Sequence, residues 1–140
     1  MKHTDYEATI RRVNDQYAPL LQALNDCGVS AAIWQTGGMC MAIGVTPRTR
    51  RAAPHVAAQM TIAEPLPHKR AQLDLPFGLR YDFEHWRVTV IDTAAGDDEE
   101  ITYTLPFAFW DARHDQLVAG VVAGLVRAHV AVSPATRPAA

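Results

Sequence analysis

Between Tyr81 and Phe107 the chain changes character with every residue. Trp86, Val88 and Val90 alternate with Arg87, Thr89 and Ile91, and Ile101, Tyr103, Leu105 and Phe107 alternate with Thr102 and Thr104. A period of two is the mark of strands with one buried face. The turn-forming stretch Ala94-Ala95-Gly96-Asp97-Asp98 joins the two runs into a hairpin. A single hairpin is not stable in water, so the rest of the chain must supply further strands and a cover for the apolar face. The hairpin tip is acidic, with Asp97, Asp98, Glu99 and Glu100 in succession.

A second hairpin lies upstream. Ala31-Ala32-Ile33-Trp34-Gln35 and Met39-Cys40-Met41-Ala42-Ile43-Gly44-Val45 are joined by Thr36-Gly37-Gly38. Glycine tolerates the positive φ of a tight turn, so the pair needs no ligand to explain it. Along the second strand, alternation sends Met39, Met41, Ile43 and Val45 to one face and Cys40, Ala42 and Gly44 to the other. The small face is expected to receive a closely packed helix.

Two helices bracket these hairpins. From Asp5 to Asp26, residues Tyr6, Ile10, Val13, Tyr17, Leu20, Leu21 and Leu24 fall mostly three and four apart, along one stripe. Thr4 and Glu7 form a capping box, and Gly28 supplies the left-handed terminating residue. Pro19 is expected to kink or split this helix near Tyr17. Asp111 is expected to cap a final helix whose apolar face comprises Leu117, Val118, Val121, Val122, Leu125, Val126 and His129 or Val130. That face is wide enough to predict a largely buried helix, with Gly120 and Gly124 permitting close packing.

The stretch from Thr46 to Leu79 holds five prolines and reads as irregular. Residues 57–62 and 71–75 are expected to pair briefly as edge strands, because prolines bracket them. The predicted fold class is α+β: an antiparallel sheet of two hairpins, four to six strands in all, covered on one face by the N-terminal and C-terminal helices. The organisation expected is one domain over 1–132, with 46–80 as an irregular basic loop and 133–140 as a disordered tail. At 140 residues, 49% hydrophobic and 20% charged, the chain has the composition of one folded domain. No window is apolar enough to span a bilayer and no signal peptide opens the sequence, so a cytoplasmic protein with no membrane role is expected. Cys27 and Cys40 are too few for a disulfide framework.

Cys40 is the sharpest chemical candidate. A nucleophilic thiol needs a histidine or a helix N-terminus beside it. His85, in the stretch Tyr81-Asp82-Phe83-Glu84-His85, is the partner a sheet could bring to it, and the competing reading is a packed structural thiol. The six histidines are scattered without metal-ligand spacing, so neither a metal nor a cofactor is expected. The Thr36–Gly44 stretch lacks the lysine of a P-loop and enters a strand, which excludes phosphate cradling. The basic loop is the remaining feature. Residues 46–80 carry six basic residues against two acidic ones, a local charge of +4 on a chain of net charge −2. Arg48, Arg50, Arg51, Lys69 and Arg70 are the candidate partner-binding residues. The acidic tip has the opposite sign and suits a protein partner or a homo-oligomer.

Ala31-Ala32-Ile33-Trp34-Gln35-Thr36-Gly37-Gly38-Met39-Cys40-Met41-Ala42, following a helix that ends in Ala23-Leu24-Asn25-Asp26-Cys27-Gly28-Val29, resembles small uncharacterised α+β proteins encoded by actinobacterial phages and their hosts. The resemblance covers the first third of the chain and brings no catalytic residues. It implies a mobile-element context, in which small proteins bind and block host machinery. The expected function is therefore non-enzymatic binding of a macromolecular partner through the 46–80 loop. The alternatives are a nucleic-acid-binding regulator using the same loop, and a cysteine-dependent enzyme using Cys40 and His85.

Overall fold

The computed structural model describes residues 3–37, 40–48, 55–62, 85–93, 99–105 and 112–132. They form helix α1 (His3–Asp26), strands β1 (Val29–Gly37), β2 (Cys40–Pro47), β3 (Val56–Ile62), β4 (Trp86–Asp92) and β5 (Glu99–Leu105), and helix α2 (Ala112–Val132). The strands make one open antiparallel sheet in the order β1-β2-β3-β4-β5. The α+β class, the two hairpins and the two helices on one face are as the sequence predicts. Both terminal helices share a single core with the inward residues of the sheet, among them Met41, Ile43, Val45, Met60, Val88 and Val90.

α1 buries Val13, Tyr17, Leu20 and Leu24, residues at i, i+4, i+7 and i+11. Contrary to expectation, it runs unbroken through Pro19. Pro19 and the residue four before it, Asp15, are both exposed, so the carbonyl that loses its helical partner faces water. Tyr17 and Leu20 hold the buried side in place on either side of the proline. The helix ends as expected, with Cys27 N–H donating to Ala23 and Leu24 carbonyls and Gly28 at φ +93°. Asp111, the expected cap of α2, lies outside the described residues, as do Gly38, Met39 and the strand expected over 71–75.

β3 corrects the reading of 46–80 as one irregular loop, and of 57–62 as an edge. It is the central strand, paired with β2 through Ile43↔Met60 and with β4 along its whole length from Val56↔Asp92 to Ile62↔Trp86. The strand contains no proline. Nothing within it therefore prevents pairing on both edges.

The orientation of β2 is the second correction. Met41, Ile43 and Val45 do share a face, but that is the face the helices cover, and the small face of Ala42 and Gly44 looks away from them. Trp34 takes the space there. It pairs with Ala42 and lies diagonally over Gly44, so close that a Cβ at position 44 would stand 1.8 Å from the indole Cδ2 and Cε2.

α2 is fixed to β4 at two levels. Near its start, the Trp86 Nε1–H donates to buried His114 Nε2 at 2.9 Å; near its end, His129 Nε2 donates to buried Asp92 Oδ2 at 3.2 Å. From His114 to His129 the helix rises about 22 Å, and from Trp86 to Asp92 the strand rises about 20 Å, so the two anchors are matched in length. Trp86 is also packed edge-on against Tyr17 of α1, with ring centroids 6.2 Å apart. The buried side of α2 is Val118, Ala119, Val122, Ala123 and Val126. Leu117 and Val121, expected on that side, are 54% and 39% exposed instead, so the helix is not largely buried.

The glycines of α2 do not serve close packing either, because a Cβ at Gly120 or Gly124 would meet nothing within 4 Å. Gly120→Ala and Gly124→Ala are therefore each expected to stabilise the protein by about 0.5–1 kcal/mol, through the backbone entropy of the unfolded chain. Thermal melts of the single and double variants check this. A loss of stability would mean that the open space is occupied.

Candidate partner-binding surfaces

β3 divides the basic region into two arms. The arm that carries Arg48, Arg50 and Arg51 leaves the sheet after Pro47 and returns at Val56; the arm that carries Lys69 and Arg70 leaves after Ile62 and returns at Trp86. The two departure points stand at opposite ends of a seven-residue strand, about 20 Å apart. Arg50, Arg51, Lys69 and Arg70 themselves lie outside the described residues.

Arg48 is described, and its guanidinium is occupied: it donates to the Asn25 carbonyl at the end of α1. Arg127 of α2 reaches the same helix end, donating to the Cys27 carbonyl at 2.7 Å. The last turn of α1 has no basic residue of its own, so two arginines from distant segments neutralise the negative end of its dipole and satisfy its terminal carbonyls. Asn25 joins the cluster through its side chain, which accepts from the Ala31 N–H and donates to the Leu21 carbonyl. Sequence reasoning assigned Arg48 to partner binding and gave Arg127 no role. A pair from opposite halves of the chain leaves no local spacing to find.

The structure does not bring Cys40 and His85 together. Cys40 opens β2 and His85 immediately precedes β4, and β3 lies between those strands, so the two are separated by two strand spacings, about 9.5 Å. A nucleophile and its base need to be within hydrogen-bonding reach. Cys40 and Cys27 are both free, half-buried thiols at opposite ends of the sheet. Among the described residues no group of three His, Cys, Asp or Glu side chains converges as a metal site. His114 faces Trp86 and the neighbouring Asp115, with Nδ1 3.3 Å from Asp115 Oδ1. An indole N–H can only donate, so Nε2 of His114 is the acceptor and the ring proton sits on Nδ1. This buried network holds α2 to the sheet.

Among the described residues no helix covers the other face of the sheet. Its middle row runs Ala32, Gly44, Gln59, Thr89, Thr102, and the last two hydroxyls are 3.0 Å apart across β4 and β5. Beside half-buried Trp34 is a depression of ≈ 210 Å³ bounded by Ser30, Ala32, Gly44 and Thr46. Its lining carries no charge. On the helix side, the inward column of β5 grades from Ile101, 42% exposed, through half-buried Tyr103 to buried Leu105, and Leu117 and Val121 of α2 are exposed.

No helix among the described residues is long and apolar enough to cross a membrane. No protein-family model, curated protein or solved structure matches this chain.

Proposed function

We propose that this protein is a non-enzymatic binding module, working in the cytoplasm, that engages a protein partner through its basic 46–80 region. The observation that carries the reading is the position of β3. It runs through the middle of the sheet, so the segment that contains Arg48, Arg50 and Arg51 joins β2 to the Val56 end of this strand, and the segment that contains Lys69 and Arg70 follows its Ile62 end. Charge placed in this way steers association and sets orientation more than it adds raw affinity. The resemblance of the first third of the chain to small phage-encoded and host-encoded proteins supports a mobile-element setting and a role in blocking host machinery.

The test is a capture comparison. Tagged wild-type protein and a variant with Arg48, Arg50, Arg51, Lys69 and Arg70 all changed to Ala are each incubated with nuclease-treated host lysate. At least a tenfold loss of the captured partner is expected from the variant. Because Arg48 also caps α1, the variant's far-UV circular dichroism and melting temperature are measured alongside, and a four-site variant that retains Arg48 separates partner contact from capping. Capture that is the same for both variants and the wild type would refute the reading. A partner lost on nuclease treatment, with a steep dependence on salt, would move the assignment to nucleic acid.

A further inference from the structure

We propose that the outer edge of β5 pairs with β5 of a second copy of this chain, antiparallel about Thr102, joining two sheets into one. The starting point is the direction of the backbone bonds. In an antiparallel ladder, successive residues turn their N–H and C=O groups to opposite sides of the strand. The Thr93 N–H donates to the His55 carbonyl, one step beyond the Val56↔Asp92 pair, so Thr93, Ile91, Thr89 and Arg87 bond toward β3. Trp86, Val88, Val90 and Asp92 therefore bond toward β5, where their partners are Leu105, Tyr103, Ile101 and Glu99. The backbone groups of Glu100, Thr102 and Thr104 are left pointing outward from the sheet. The 3.0 Å approach of the Thr89 and Thr102 hydroxyls fits this phase, because side chains come closest across pairs that exchange no backbone bonds.

The two outer strands differ in how their edges are kept. At β1, the Asn25 side-chain oxygen accepts the Ala31 N–H, and the register with β2 shifts between Gln35 and Gly37. Occupied donors and bulges are among the devices that keep an edge from pairing. β5 has neither. Its register with β4 runs without a shift from Glu99 to Leu105, its sequence holds no proline, glycine or lysine, and no described segment pairs with its outer side. Glu100, Ile101, Thr102 and Thr104 are exposed. Isoleucine, threonine and tyrosine are strand-forming residues.

The order of residues in β5 selects a second copy as the occupant. Read antiparallel against itself about Thr102, the strand pairs along its whole length and sets no like charges opposite each other: Thr102 meets Thr102, Glu100 meets Thr104, Ile101 meets Tyr103, and Glu99 meets Leu105. Threonine with threonine and aromatic with β-branched are favourable cross-strand pairs. The sheet already contains both kinds between β4 and β5, in Thr89 with Thr102 and Val88 with Tyr103. A twofold axis normal to the sheet keeps the inward columns of the two copies on one side. Ile101, 42% exposed in the single chain, then lies beside Tyr103 of the second copy. An interface of this kind is isologous and closes at two chains. It is separate from the basic arms and does not rest on them.

The test uses the purified full chain alone. Sedimentation velocity over about a hundredfold range of concentration is expected to show a dimer whose fraction rises with concentration. Thr102→Lys and Thr102→Glu each place like charges opposite one another at the axis, and each should weaken the dimer by about fivefold or more. An equal mixture of the two variants sets lysine against glutamate and should recover the association that each lacks alone. Ser30→Lys, an exposed change on the opposite outer strand, should leave the dimer as in the wild type. Thr102 is exposed and its backbone N–H is outside the β4 ladder, so the fold should persist in its variants, which circular dichroism checks.

A wild-type chain that stays monomeric throughout the range would overturn the proposal, as it would if another segment of the same chain held this edge. A dimer unchanged by both Thr102 substitutions, or a mixture that recovers nothing, would overturn it as well.

Discussion

Trp86→Ala is expected to cost about 3–5 kcal/mol, a large part of the stability of a domain this size. The residue is fully buried where α1, α2 and β4 meet, edge-on to Tyr17 and bonded through its indole N–H to His114. Truncation leaves a cavity where residues of both helices pack on the same side chain. Trp86→Phe separates the two contributions. It keeps much of the ring volume and withdraws the donor from a buried acceptor, for an expected cost of about 1–3 kcal/mol. Urea unfolding followed by circular dichroism measures both. An alanine variant that lost less than about 1 kcal/mol would mean that this corner of the core is packed differently.

Gly44→Ala carries the second large effect, from the opposite side of the sheet. A Cβ there would collide with the indole of Trp34 at 1.8 Å, far inside any real contact. Either the ring is displaced or the β1–β2 pairing distorts, at about 1–3 kcal/mol. The signature is a coupling. In a Trp34→Ala background the same Gly44→Ala change meets no ring, so the double variant should cost less than the sum of the singles by about 0.5–3 kcal/mol. Strict additivity would contradict the account. Trp34 fluorescence should shift to the red in Gly44→Ala as the ring leaves the sheet for water.

These two sites show what the sequence made legible and what it did not. The alternation of Met41, Ile43 and Val45 against Ala42 and Gly44 is plain in the chain, and the strand does have those two faces. Which face the helices take is a different matter, because a small face suits a close helix and a cross-strand tryptophan equally well. The answer lies in the diagonal from Trp34 to Gly44, which follows only once the hairpin register is fixed. The apolar residues of α2 mark it as a helix but overstate the width of its buried side. Leu117 and Val121 are apolar for a flank that the fold leaves open, and hydropathy does not distinguish a buried stripe from an unpartnered one. β3 is legible as a strand but not as a centre, since nothing within it tells that it pairs both with β2, 13 to 17 residues back, and with β4, 24 to 36 residues on. The arginines that cap α1 escaped for the same reason: Arg48 and Arg127 meet the end of α1 from 23 and 100 residues away. The pairing proposed for Cys40 and His85 required two strands to be neighbours, and β3 stands between them.

Affinity capture of the tagged full chain from host lysate, with and without nuclease and followed by mass spectrometry, tests the binding assignment most directly. The account predicts one dominant protein partner that survives nuclease and is lost when the basic arms are neutralised. Recovery of no partner, or of one that disappears with the nucleic acid, would contradict it.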